Sequence, residues 1–101
     1  MIVARTFVQK LTDFFKAMGN EKRQEILLGI FTDHLEHNIT DVAGKARIAQ
    51  STASEHLFLL KRAGILTSRK VGKEVFYKLD RKSIIAVIDE IKSALQCCGD
   101  E

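Results

Sequence analysis

What most constrains this 101-residue chain is the spacing of its apolar residues, which is helical except in one short stretch. From Val3 to Leu60 they recur every three or four positions, the signature of amphipathic helices. In Val75-Phe76-Tyr77-Lys78-Leu79 the period drops to two and places Val75, Tyr77 and Leu79 on one face, as in a strand. Beyond residue 80 the helical period returns. Such a pattern predicts a mainly α fold with a small β-hairpin rather than a sheet core. The absence of proline and tryptophan and the presence of only six glycines agree with this, because loop-rich β folds draw heavily on turn residues.

Val3, Phe7, Leu11, Phe14, Phe15 and Met18 predict a first helix over about residues 3–18. Gly19 would close it in the left-handed position, and Asn20 would cap the next helix through its side-chain oxygen. Ile26, Leu27, Ile30, Phe31 and Leu35 mark that second helix, which should end at His37-Asn38. Thr40 would cap a short third helix carrying Val42, Ala43 and Ala46. After a tight break over Arg47-Ile48-Ala49, a fourth helix of about residues 50–63 turns Ala53, Leu57 and Leu60 inward and ends at Ala63-Gly64. Leu66 to Val71 should pair with the alternating strand through a turn at Gly72-Lys73. Ile84, Val87, Ile88, Ile91 and Leu95 predict a last helix of about residues 81–97, capped by Asp80 or Ser83. The expected order, α-α-α-α-β-β-α in a single domain over residues 1–101, places two helices across a short turn just before a basic hairpin. That is the description of a winged helix-turn-helix.

Sixteen Lys and Arg against thirteen Asp and Glu leave a net charge of only +3, but the charge is unevenly placed. Residues 45–82 hold ten basic and three acidic side chains, a net +7, while the remainder is −4. A basic segment on an acidic scaffold points to a polyanionic partner. No apolar run approaches the roughly 20 residues of a membrane span, and MIVARTFVQK lacks the long apolar stretch of a signal peptide. Two adjacent cysteines make no disulfide framework. The expectation is a cytoplasmic protein without a membrane partner. No Ser/His/Asp set, glycine-rich phosphate loop or carboxylate pair suggests an enzyme.

The candidate contacts follow from these placements. Gln50, Ser51, Thr52 and Ser54 open the fourth helix, whose first turns would face base edges if it entered a major groove. Gln pairs bidentately with adenine, Ser and Thr reach bases or phosphates, and the helix N-terminus itself favours phosphate oxygens. Arg69, Lys70 and Lys73 in a wing over about residues 67–79 would grip the adjacent backbone or minor groove. Taken singly, Ser51 and Thr52 are ordinary caps and the wing an ordinary charged hairpin. Their ordered succession points to double-stranded DNA. A winged helix serving as a protein-interaction module without DNA binding is the reading from another class.

The segment Thr40-Asp41-Val42-Ala43 through Ile48-Ala49-Gln50-Ser51-Thr52-Ala53-Ser54-Glu55-His56-Leu57, with Leu60-Lys61-Arg62-Ala63-Gly64-Ile65-Leu66, resembles the helix-turn-helix of ArsR-type (ArsR/SmtB) bacterial transcriptional repressors. Phe15 to Leu27 resembles the opening of that family's pattern and Arg69 to Leu79 its wing, so the likeness spans nearly the whole chain. The resemblance implies a homodimeric repressor that binds a palindromic operator and releases it on sensing a ligand. It also implies that the first and last helices, about 3–18 and 81–97, are dimerisation elements. The stripes Phe7/Leu11/Phe14 and Ile84/Ile88/Ile91/Leu95 suit such an interface or an internal core face. His56 falls on the family's histidine and reads as structural or phosphate-contacting rather than as a metal ligand. Three residues depart from the pattern: Glu55 where a basic or neutral residue is usual, Arg47 at the turn glycine, and Ala49 at the cap serine.

The ligand positions of the family's metal sensors are missing, since the third helix has no cysteine and the last no histidine. His34 and His37 read as surface residues, too few for a closed zinc site. Cys97 and Cys98 form the one candidate thiol site for a metal or metalloid effector or for oxidation. Adjacent helical residues point about 100° apart, so the plainer reading is one packed and one incidental thiol. No cofactor is expected.

Overall fold

The structure is a computed structural model that describes residues 5–98. Helix α1 (Arg5–Met18) leads through Gly19-Asn20 into α2 (Glu21–Gly29), followed by a 3₁₀ turn at Phe31–Asp33. A two-residue strand β1 (His37–Asn38) precedes α3 (Ile39–Ala46) and α4 (Gln50–Arg62). Strands β2 (Leu66–Val71) and β3 (Glu74–Leu79) form the hairpin, and α5 (Arg81–Cys98) closes the order.

Local chemistry sets most boundaries. Asn20 accepts a hydrogen bond from the Arg23 backbone N–H at 2.9 Å and starts α2. Asp80 accepts from the Ser83 backbone N–H at 3.1 Å and starts α5. Such caps each contribute about 1 kcal/mol. Gly64 (φ +80°) ends α4 and Gly72 (φ +63°) makes the hairpin turn, both in the left-handed region that glycine enters without strain. Gly19 does not adopt that region. A Cβ there would stand 3.1 Å from the Phe15 carbonyl oxygen, so close approach is what favours glycine. Arg47 (φ 59°, ψ 48°) holds the left-handed turn between α3 and α4 with a full side chain.

The stretch from residue 30 to residue 41 corrects the sequence reading. The second helix stops at Gly29, and His37-Asn38 is not its end but a strand on the outer edge of β3. The sheet is therefore three-stranded and antiparallel, in the order β1-β3-β2, with His37 opposite Tyr77 and Ser68 opposite the same residue on the other side. A two-residue strand is too short to show a period, which is why the sequence revealed only the hairpin. Asn38, not Thr40, caps α3, accepting from the Asp41 backbone N–H at 2.8 Å.

One cluster forms the core: Ile26, Leu27, Ile30 and Phe31, then Val42 and Ala43, Ala53, Leu57 and Leu60, Ile65, Leu66 and Tyr77. Val75 and Leu79 pack against it from the strand face they share with Tyr77. Helix α4 is thus fastened along its length by residues at helical spacing, and its opposite face is free.

Candidate nucleic-acid interface

Ala53, Leu57 and Leu60 are fully buried, so the direction of α4's outward face is fixed. Gln50 and Ser51 are exposed, and Thr52 and Ser54 are half-buried on the flanks. Gln50 Nε2 donates to Thr40 Oγ1 at 3.3 Å, tying the start of α4 to α3. Ala49 supplies no side-chain cap. The first-turn N–H groups of α4 therefore have no capping partner from that residue, and an anion at this end would meet both those donors and the positive end of the helix dipole.

His56 is half-buried on the other side of α4. Its Nδ1 lies 3.2 Å from Arg23 Nη1, and Arg23 in turn donates through Nε to the Ala17 carbonyl (2.7 Å) and through Nη2 to the Lys16 carbonyl (3.1 Å). Burial, then the Arg23 charge, hold the imidazole below its ordinary 6.5. It is neutral at neutral pH, with Nδ1 as acceptor. The chain α1 end–Arg23–His56 joins three helices, which is the structural half of the expectation for His56.

The wing presents its cations unequally. Arg69 is engaged: Nε and Nη2 donate to the two carboxylate oxygens of Glu36 at 2.6 and 2.8 Å. The pair raises the guanidinium's pKa and lowers that of Glu36, as a bidentate hydrogen-bonded ion pair must. Lys70 and Lys73 are exposed and meet no carboxylate within salt-bridge distance among the described residues. Asn38 Nδ2 also donates to Glu74 Oε1 (3.1 Å), so the wing is tied to the loop before α3 at two points. Nothing in the local sequence pattern marks the Arg69–Glu36 pair, whose members stand 33 residues apart.

His37 overturns the surface reading given to it. It is 4% exposed, stacked edge-on against Phe31, with Nε2 2.8 Å from Asp33 Oδ2 and Nδ1 in contact with Asp41 Oδ2. The Asp41 carboxyl is held below the ordinary range chiefly by the His37 hydrogen bond. That of Asp33 is held down first by the Leu35 backbone N–H and then by His37. This unit links the 3₁₀ turn, β1 and α3 at the base of the wing. Its signal was a histidine with an aspartate four residues to either side. His34 stands apart from it, exposed, with φ 65°.

Among the described residues no group of three or more His, Cys, Asp or Glu is arranged to hold a metal ion. Helix α5 runs to Cys98, but the side chains of Cys97 and Cys98 lie outside what the structure describes. No helix among the described residues is long and apolar enough to cross a membrane.

Two helices across a left-handed turn, a fourth helix with one free face and a three-stranded wing define the winged helix-turn-helix class. No family model matches the sequence. Individual proteins do match. The uncharacterised HTH-type transcriptional regulator YbzH of Bacillus subtilis is 31% identical, with the match covering 82% of this chain and 96% of that one. The transcriptional activator HlyU of Vibrio cholerae is 33% identical over 91% of this chain and 82% of its own. A homodimeric winged helix-turn-helix DNA-binding domain of Mycobacterium bovis, a possible ArsR-family regulator, superposes with a TM-score of 0.71 at 19% identity, covering 99% of this chain and 93% of that one. The chain belongs to the ArsR-type family of winged helix-turn-helix transcriptional regulators.

Proposed function

We propose that the protein is a homodimeric, cytoplasmic repressor that binds a palindromic operator. In this reading α4 enters the major groove and the wing reaches the neighbouring backbone or minor groove. Gln50, Ser51, Thr52 and Ser54 supply base and phosphate contacts, while Lys70 and Lys73 supply salt-dependent affinity. Arg69 acts by holding the wing through Glu36, and His56 by positioning α4 through Arg23. The observation that carries the reading is the opening turn of α4, left without a side-chain cap by Ala49, in a segment whose net charge is +7.

Dimerisation through α1 and α5 rests on a division that the structure makes within each apolar stripe. Phe14 and Ile84 pack on the core and Val87 is buried, whereas Val8, Phe15, Ile85, Ile88 and Leu95 are exposed. Lys10 Nζ meets Glu90 Oε1 at 3.5 Å, so α1 and α5 approach each other at these residues. Five large apolar side chains left in water on adjacent helices suit a second copy, and the Mycobacterium bovis neighbour is a homodimer.

A gel-shift titration against the DNA upstream of the protein's own coding sequence tests the proposal. Binding should weaken steeply with salt, with two protomers per site. Absent or salt-insensitive binding would rule the reading out in favour of a protein-interaction module.

A further inference from the structure

The outward stripe of α4 is not built like a phosphate-binding surface. Opposite Ala53, Leu57 and Leu60 stand Ser51, Glu55, Phe58 and Arg62, spaced i, i+4, i+7 and i+11, and all are exposed. Only one of the four is a cation, and it lies at the far end of the helix. Glu55 has no ion-pair partner among the described residues. Phe58 is 58% exposed, an aromatic ring held in water on a helix otherwise packed in the usual way.

A bare carboxylate on a face that approaches DNA is repelled by phosphates and gains only where a donor meets it. In the major groove the exocyclic N4 amino group of cytosine is such a donor. An exposed ring on the same stripe gains by covering the thymine C5-methyl group, the apolar feature of that groove. Three residues along a helix span about 4.5 Å, close to one base-pair step of about 3.4 Å. With α4 lying along the groove, Glu55 and Phe58 would stand over neighbouring base pairs.

We propose that Glu55 and Phe58 determine operator specificity in this protein, Glu55 accepting from a cytosine N4 and Phe58 covering the methyl of an adjacent thymine. The inference rests on the DNA-binding reading above. It adds this pair to the base contacts of Gln50, Ser51, Thr52 and Ser54 as determinants of sequence discrimination and leaves salt-dependent affinity to Lys70 and Lys73.

The test is selection of duplexes from a random-sequence library by the full-length protein, its Glu55→Gln variant and its Phe58→Ala variant. Both residues are exposed, so the variants should fold, and circular dichroism spectra matching the wild type confirm it. The wild type should enrich half-sites with cytosine beside thymine. Glu55→Gln should bind duplexes that lack the cytosine more tightly, having lost a negative charge. It should also lose the preference for cytosine over other bases, a discrimination of about tenfold. Replacing the adjacent thymine by deoxyuridine should weaken wild-type binding about fourfold, the value of one buried methyl group, and leave Phe58→Ala unaffected. The inference fails if either variant selects the wild-type motif, or if the uracil substitution affects wild type and Phe58→Ala alike. If the wild type binds every duplex equally with normal salt dependence, the inference falls together with the operator, while DNA binding itself stands. If no duplex is bound at low salt, the DNA-binding reading falls with it.

Discussion

Helices α4 and α5 are both amphipathic, yet they are fastened in opposite ways. Along α4, Ala53, Leu57 and Leu60 are fully buried in the protein's own core, and the face turned away is polar apart from Phe58. Along α5, Val87 is buried and Ile84 packs on the core, while Ile85, Ile88 and Leu95 stand in water. The first helix is completed by its own chain. The second presents the surface of something still to be completed by another. An apolar stripe in a sequence thus carries two meanings, and only the packing tells which flank of a helix bears which.

The contrast predicts two kinds of failure. Leu57→Ala leaves a cavity beneath α4 and should cost about 2–5 kcal/mol of stability, read from chemical denaturation, with the loss of DNA binding following the loss of fold. Ile88→Glu should leave the unfolding midpoint of the monomer nearly unchanged. Sedimentation should show a monomer, and operator affinity should fall by about a hundredfold or more as two-site binding is lost. If Ile88→Glu unfolds the protein, or leaves it folded and dimeric, the comparison has been drawn the wrong way round.

The groups around α3 and α4 sharpen it through pH. Asp41 has its carboxyl lowered from 3.8, so its contribution is in place above the ordinary aspartate range and is lost as pH falls through the lower folded value. His56, lowered from 6.5, also opposes acid: its contribution is whole above 6.5 and declines as pH falls towards its lower folded value. Stability should therefore drop in two acid limbs. In urea titrations across pH, His56→Gln should flatten the upper limb and His37→Leu the lower. Smaller still, Lys73→Ala should weaken binding to all DNA sequences alike and reduce the salt slope by about one. Smallest, Arg47→Gly should relieve the left-handed residue at φ 59° and raise stability by about 0.5–1 kcal/mol, seen as a small rise in Tm.

How legible the molecule was depends on the range of the interactions. The start of α4 at Gln50, its end at Gly64, the turn at Gly72 and the Asn20 and Asp80 caps are decided within a few residues and stood in the sequence. Phe58 was not singled out from the sequence, although its helical spacing from Ser51 is the signal that places it outward. The segment from Ile30 to Asp41 was not legible. Its apolar residues suggested that a helix continued, but the chain leaves the helix at Gly29 to bring His37 beside β3.

The sequence by itself determined the winged helix-turn-helix, the polar start of its fourth helix and the basic character of residues 45–82, because periodicity, capping and charge are local properties of the chain. The tertiary structure alone decided that Arg69 is bound to Glu36, that His56 leans on Arg23, that His37 is buried between Asp33 and Asp41, and that Ile88 faces water while Val87 does not. The first two meetings span 33 residues, which no local pattern encodes, and the burial of His37 and Val87 depends on which face the packed core covers.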